Sequence, residues 1–166
     1  EDSFAVSISP IESWNLVDVI AVDEVGEKKV GSTEGHNLAY TSPLQNARVE
    51  DAPRRLNLCR EAVLKQDFSS LASIMELDSD MMHAVMMTSN PALFYWEPAS
   101  LNIIKEVPVW RKTGIPCAYT LDAGPNVHIL CPAEFADKVK NKISGLDGIA
   151  KIITAAVGGP ARLVSD

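Results

Sequence analysis

Ala118-Tyr119-Thr120-Leu121-Asp122-Ala123-Gly124-Pro125-Asn126-Val127-His128-Ile129-Leu130 is the stretch that decides the fold. Cys117, Tyr119 and Leu121 alternate with Ala118, Thr120 and Asp122, the period of a strand with two unlike faces. Gly124-Pro125-Asn126 forces a tight reversal, after which Val127, Ile129 and Cys131 resume the alternation. The expected product is a hairpin with a carboxylate at the mouth of its turn. Held on a rigid strand end, Asp122 can orient a hydroxyl or accept its proton. An Asp before Gly-Pro can equally bond turn amides, and spacing alone favours that plainer role.

Downstream, Pro132 opens a helix expected to reach Ser144, with Phe135, Val139 and Ile143 inward and Gly145 as its stop. Lys138, Lys140 and Lys142 face mostly outward. Residues 149–157 read as a long strand, and Gly158-Gly159-Pro160 turns the chain so that 161–164 can return as a short edge strand.

Upstream, residues 14–22 are apolar and β-branched, which predicts a strand buried on both faces. A charged loop follows over 24–29. Gly31-Ser32-Thr33-Glu34-Gly35-His36 comes next, where Ser32 or Thr33 can cap a helix running to about Tyr40. Free amides at such a start can bind an anion, although an ordinary cap explains the same residues. Thr41-Ser42-Pro43 predicts a second helix start, Pro53 is expected to split the helical stretch to Gln66, and Leu56, Cys59 and Val63 share a face. Arg48, Arg54 and Arg55 read as a solvated face. Asp67 can cap a further helix with Phe68, Leu71, Met75, Met82 and Met86 at core spacing. Glu76, Ser79, His83 and Met87 form another stripe on it, which either lines a pocket around His83 or buries a hydrogen-bonded histidine. Phe94-Tyr95-Trp96 reads as packing, because no basic residue interleaves with it. Pro98 starts a helix with Leu101, Ile104 and Val107 inward, ended or kinked at Pro108.

Several strands sharing one chain with helices that cannot all be crossovers argue for an α+β fold: an antiparallel-containing sheet with helices layered on one face. At 166 residues the chain suits one domain. Its 46% hydrophobic and 22% charged residues are ordinary for a soluble globular protein. A net charge of −7 argues against a nucleic-acid partner, while leaving room for a local basic pocket that takes a small anion. No apolar run is long enough to span a bilayer, and no basic segment precedes an apolar stretch as in a secretory signal. Cys59, Cys117 and Cys131 lack paired ligand spacing and read as reduced core thiols of a cytoplasmic protein, with no metal site. The chain starts Glu1-Asp2-Ser3 without an initiator methionine, as a piece of something longer would.

The 118–127 run resembles the signature of mevalonate diphosphate decarboxylases, within the wider GHMP small-molecule kinase superfamily. Three further segments are similar in order and spacing: Gly31-Ser32-Thr33-Glu34-Gly35 through Thr41-Ser42-Pro43; Asp78-Ser79-Asp80-Met81-Met82-His83-Ala84; and Asp2-Ser3 followed by Trp14. The resemblance covers nearly the whole chain and raises Asp122 to the leading candidate.

It implies a ferredoxin-like C-terminal domain over 1–166, a cytoplasmic enzyme using ATP and Mg²⁺, and a homodimer. The implied reaction converts mevalonate 5-diphosphate to isopentenyl diphosphate by phosphorylation of the C3 hydroxyl, then loss of phosphate and carbon dioxide. Asp122 matches the aspartate that contacts that hydroxyl. Ser32 matches a serine that holds substrate phosphates, Thr33 is its neighbour, and His83 matches a family position; the three are the substrate-binding candidates. The family's glycine- and serine-rich phosphate loop and its substrate-binding lysine and arginine have no match here. They belong to the N-terminal half, so this chain alone is expected to be inactive. Some relatives carry Arg where this chain has Thr33, and Glu34 adds negative charge, which opens the alternative of a phosphomevalonate decarboxylase. A mevalonate 3-kinase fits less well, because Asp122 is present. A non-catalytic binding or dimerisation module is the alternative of a different class.

Overall fold

The computed structural model describes residues 5–24 and 31–159. The expected edge strand at 161–164, most of the 24–29 loop and Asp2-Ser3 lie outside the described residues.

The hairpin forms where the sequence places it, with a first strand shorter than the 117–122 alternation suggests and buried on both faces at Ala118 and Tyr119. Strand β2 (Ala118–Thr120) pairs antiparallel with β3 (Val127–Pro132), with Ala118 opposite Leu130 and Thr120 opposite His128. β1 (Leu16–Asp23) pairs antiparallel with the other side of β3, Val19 lying opposite Ile129, and β4 (Ile149–Ala156) closes the sheet against β1. The order is β2-β3-β1-β4. Read from the other edge this is β4-β1-β3-β2, the arrangement of a ferredoxin-like split βαβ unit. Five helices complete the described chain: α1 (Ser32–Ala39), α2 (Gln45–Lys65), α3 (Phe68–Met87) and α4 (Pro98–Lys112) between β1 and β2, and α5 (Ala136–Ile143) between β3 and β4.

The core lies between one sheet face and helices α4 and α5. Val17, Val19 and Ala21 of β1 join Val127, Ile129 and Cys131 of β3 against Ile103, Val107, Trp110, Val139 and Ile143. β1 is therefore buried on one face only, where burial on both was expected; Leu16, Asp18, Ile20 and Val22 stay half-exposed. The reason is that both core helices layer on the same side, so β-branched residues were a sign of strand and not of a second covering layer. On the open face the Asp18 carboxylate lies 2.7 Å from His128 Nδ1. Cys117 and Cys131 are free and fully buried, and burial pushes their thiols up to about 12 and about 11. They are inert core residues. None of the described helices is long and apolar enough to cross a membrane.

Both interior prolines sit inside unbroken helices. α2 runs through Pro53 and α4 through Pro108. An interior proline costs about 3 kcal/mol. In α4 that cost is offset by the burial of Val107 and Trp110 on either side of Pro108. In α2 it is offset by packing on α3 and by Arg55, whose Nη2 donates to the Arg48 carbonyl across the weakened turn. Helix faces shift accordingly. α4 turns Ile103, Val107 and Trp110 inward and leaves Leu101 exposed, while α2 buries Arg55 and Ala62 and exposes Leu56. Of the three arginines read as a solvated face, Arg54 is exposed as expected, Arg48 is half-buried and Arg55 is only 4% exposed.

Helix starts follow local chemistry more closely. Asp67 caps α3, its carboxylate accepting from Ser70 N at 3.1 Å. Pro98 opens α4 behind a Glu97/Ser100 capping box. α1 differs: Gly31 is the capping position and Ser32 the first helical residue, with no side-chain cap. After Pro132 a short 3-10 turn at Ala133–Phe135 precedes α5.

Candidate functional site

β2 ends at Thr120, so Asp122 falls on the loop over 121–126 and is exposed. The loop is fixed on either side of it. Leu121 is buried, and Ser79 Oγ both accepts from Leu121 N (3.0 Å) and donates to Leu121 O (3.3 Å). Gly124 N donates to the Asp122 carbonyl at 2.8 Å. At the loop's far end Asn126 Oδ1 accepts from Asp23 N at 3.1 Å. A Cβ on Gly124 would lie 3.4 Å from Asp122 Oδ1, in van der Waals contact with it. Among the described residues that carboxylate takes no hydrogen bond, which removes the role of bonding turn amides.

Asp122 opens into a cleft of about 490 Å³ between α1, the start of α2, the end of α3 and the hairpin loop. Ser32, Gln45, Arg48, Met82 and Tyr95 share its wall. The structure thus brings Asp122 and Ser32 together, residues 90 positions apart in the chain. Thr33 is exposed on α1 and is not part of the lining. His83 is not part of it either. It is 1% exposed and lies behind the cleft, edge-on to Tyr95 with ring centroids 6.1 Å apart and tilted over Trp96 at 5.1 Å. Burial pulls its pKa down to about 4, against smaller opposing effects of the Leu121 backbone and Asp122, so the ring is neutral at pH 7.

The α3 stripe has a use that spacing did not reveal. Glu76 forms a two-pronged ion pair with Arg111 (2.8 and 2.9 Å) and accepts from Tyr119 N, while Ser79 holds Leu121 and His83 fills the aromatic layer. The stripe is a seam that satisfies the outer edge of β2. It lines no pocket. Replacing Ser79 by alanine leaves the buried Leu121 amide without its partner and should cost about 1–3 kcal/mol. Urea denaturation of the variant checks this, and an unchanged midpoint would show that the seam holds Leu121 without the hydroxyl.

Sequence reasoning missed Gln45, Arg48 and Tyr95 as cleft residues. A signal existed for one of them: Arg48, Asp51 and Arg55 repeat at three- and four-residue spacing, placing them on one side of a helix.

Fold and cleft define the class: a ferredoxin-like α+β domain that presents an unpaired carboxylate from a fixed hairpin loop. Residues 18–161 match the family described as the mevalonate 5-diphosphate decarboxylase C-terminal domain, and the chain belongs to that family. A diphosphomevalonate decarboxylase of Candida albicans is 38% identical over 142 residues, covering 84% of this chain and 39% of the relative. A solved structure described as MDDEF in complex with MVAPP, AMPPCP and magnesium superposes with a TM-score of 0.82 at 30% identity, over 92% of this chain and 47% of that one. A mevalonate diphosphate decarboxylase from Enterococcus faecalis, described by its mevalonate diphosphate-mediated ATP binding, gives 0.79 at 27% identity, over 92% and 46%. The chain spans less than half the length of these relatives.

Proposed function

We propose that this chain is the hydroxyl-activating part of an ATP-dependent mevalonate 5-diphosphate decarboxylase that forms isopentenyl diphosphate. The observation that carries the reading is the exposed Asp122 carboxylate, held on a fixed loop in the cleft that also contains Ser32. In this reading Asp122 orients the tertiary C3 hydroxyl and accepts its proton as the oxygen is phosphorylated. A tertiary hydroxide leaves poorly and phosphate leaves well, so the C3–O and C–CO₂ bonds break together, giving the alkene, phosphate and carbon dioxide. Ser32 supplies a hydroxyl donor to the substrate phosphates.

ATP supplies the phosphoryl group, and Mg²⁺ offsets the charge gathered during its transfer. Among the described residues no group of three or more His, Cys, Asp or Glu side chains could hold a metal ion. In this reading the Mg²⁺ arrives with the nucleotide, and no step is routed through it. A cytoplasmic homodimer completes the reading, from the family resemblance.

Glu34 supports a second reading. It sits exposed on α1 two residues after Ser32, and its negative charge favours a ligand with fewer phosphate charges, namely mevalonate 5-phosphate. Carbon dioxide release by the full-length parent, with ATP and Mg²⁺, separates the two. Turnover of mevalonate 5-diphosphate is expected. Preference for the monophosphate would select the second reading, and release from neither would leave a non-catalytic module of this fold.

A further inference from the structure

We propose that Arg48 holds the anionic end of the ligand in the Asp122 cleft. The inference rests on the reading of that cleft as the substrate site, and it starts from an imbalance between α2 and α3. Three guanidiniums there share two carboxylates. Arg54 takes Asp51 through two short bonds, 2.6 and 2.8 Å. Arg55 takes both Asp51 (2.9 Å) and Asp78 (2.8 Å), and its remaining nitrogen bonds the Arg48 carbonyl. Arg54 and Arg55 together hold the Asp51 carboxyl down to about 2, so that group is fully committed.

Arg48 is the member left over. Among the described residues its one ion pair is Nη2 to Asp78 at 3.4 and 3.5 Å, at the limit of a hydrogen bond and on a carboxylate that Arg55 already occupies. Its Nε is buried with no partner among the described residues. The side chain is 26% exposed and lines two clefts: the one containing Asp122 and a second of about 410 Å³ toward Asp78. Among the described residues lining the Asp122 cleft it is the one permanent cation, His36 being the other basic group and Asp122 the acidic one.

A half-buried guanidinium with incomplete partners is costly, and a bidentate anion removes the cost. The long contact to Asp78 makes exchange cheap: Arg48 gives up a weak bond for two short ones. The chemistry that fits is a phosphate or carboxylate oxygen pair, and a β-hydroxy acid carrying a diphosphate offers both.

Arg48→Gln and Arg48→Lys in the full-length parent test this. Hydrogen bonds to charged groups contribute about 1.5–3 kcal/mol, so Arg48→Gln should raise KM for mevalonate 5-diphosphate about 10- to 100-fold with kcat nearly unchanged. Arg48→Lys should recover part of the loss, because it restores charge without the fork. Inorganic pyrophosphate and unphosphorylated mevalonate, each titrated by calorimetry, separate the sources: the one whose binding weakens in Arg48→Gln identifies the bound end. If the parent releases no carbon dioxide, the proposed function falls, and pyrophosphate binding still reads Arg48. Unchanged KM with both probes unaffected would overturn the inference. So would a fall in kcat at constant KM, which would assign Arg48 to the control of Asp122.

Discussion

Asp122→Asn in the full-length parent is expected to lower kcat about 10³-fold, the middle of the range for a lost general base. The substitution keeps shape and removes only the charge and the capacity to take a proton. Because the Asp122 carboxylate takes no hydrogen bond from the described residues, the fold has little to lose. Thermal stability should stay within about 0.5 kcal/mol of the wild type, as for a surface change away from packing. KM should move far less than kcat, since the base acts on the reacting hydroxyl and not on the phosphates. Measuring single-turnover carbon dioxide release beside a melting curve distinguishes chemistry from folding. Full activity in the variant would assign the base role elsewhere and leave Asp122 as a loop residue.

The second large effect is on stability. His83 has an ordinary pKa of 6.5 and is held at about 4 by burial among Tyr95 and Trp96. Between those values the unfolded chain binds a proton that the folded chain refuses, so stability rises with pH in that window. The contribution is complete above 6.5 and is lost as pH falls toward 4. At 1.36 kcal/mol per pH unit it amounts to about 3 kcal/mol. His128 works in the opposite direction. The hydrogen bond to Asp18 raises its pKa, so its contribution is complete below 6.5 and is lost as pH rises through the raised value. It is half-exposed, and the His83 effect should dominate on the acid side. Urea titrations at pH 7 and pH 5 should show a loss in the wild type that His83→Leu largely abolishes. Equal losses in both proteins would place the acid sensitivity in the carboxylates.

Much of this molecule follows from local sequence. Period-two alternation locates the hairpin: on β3 Val127, Ile129 and Cys131 are buried between half-exposed neighbours, while on β2 both Ala118 and Tyr119 are buried. Asp67 and Pro98 mark helix starts because capping and a missing N–H are local chemistry. The Asp-Ala-Gly-Pro-Asn motif, through its family resemblance, drew attention to Asp122, and the fixed hairpin loop gives that residue its position.

Other features depended on which layers meet. Pro53 and Pro108 read as breaks, yet the helices continue through them, because packing on either side exceeds a local cost of about 3 kcal/mol. The α3 stripe could equally have lined a pocket; only the position of the β2 edge made it a seam for strand amides. His83 went behind the cleft for the same reason, carried by a stripe whose direction the sheet edge sets. Arg48, Arg54 and Arg55 look alike in sequence. Their separation into two committed guanidiniums and one spare depends on where Asp78 arrives from the facing helix, 30 residues after Arg48. Sequence alone determined the place of the hairpin, the helix starts at Asp67 and Pro98 and the residue types at the hairpin's tip, since these depend on periods and bonds within a few residues. Tertiary structure alone decided the cleft and its spare cation, since burial and charge pairing depend on distances between residues remote in the chain.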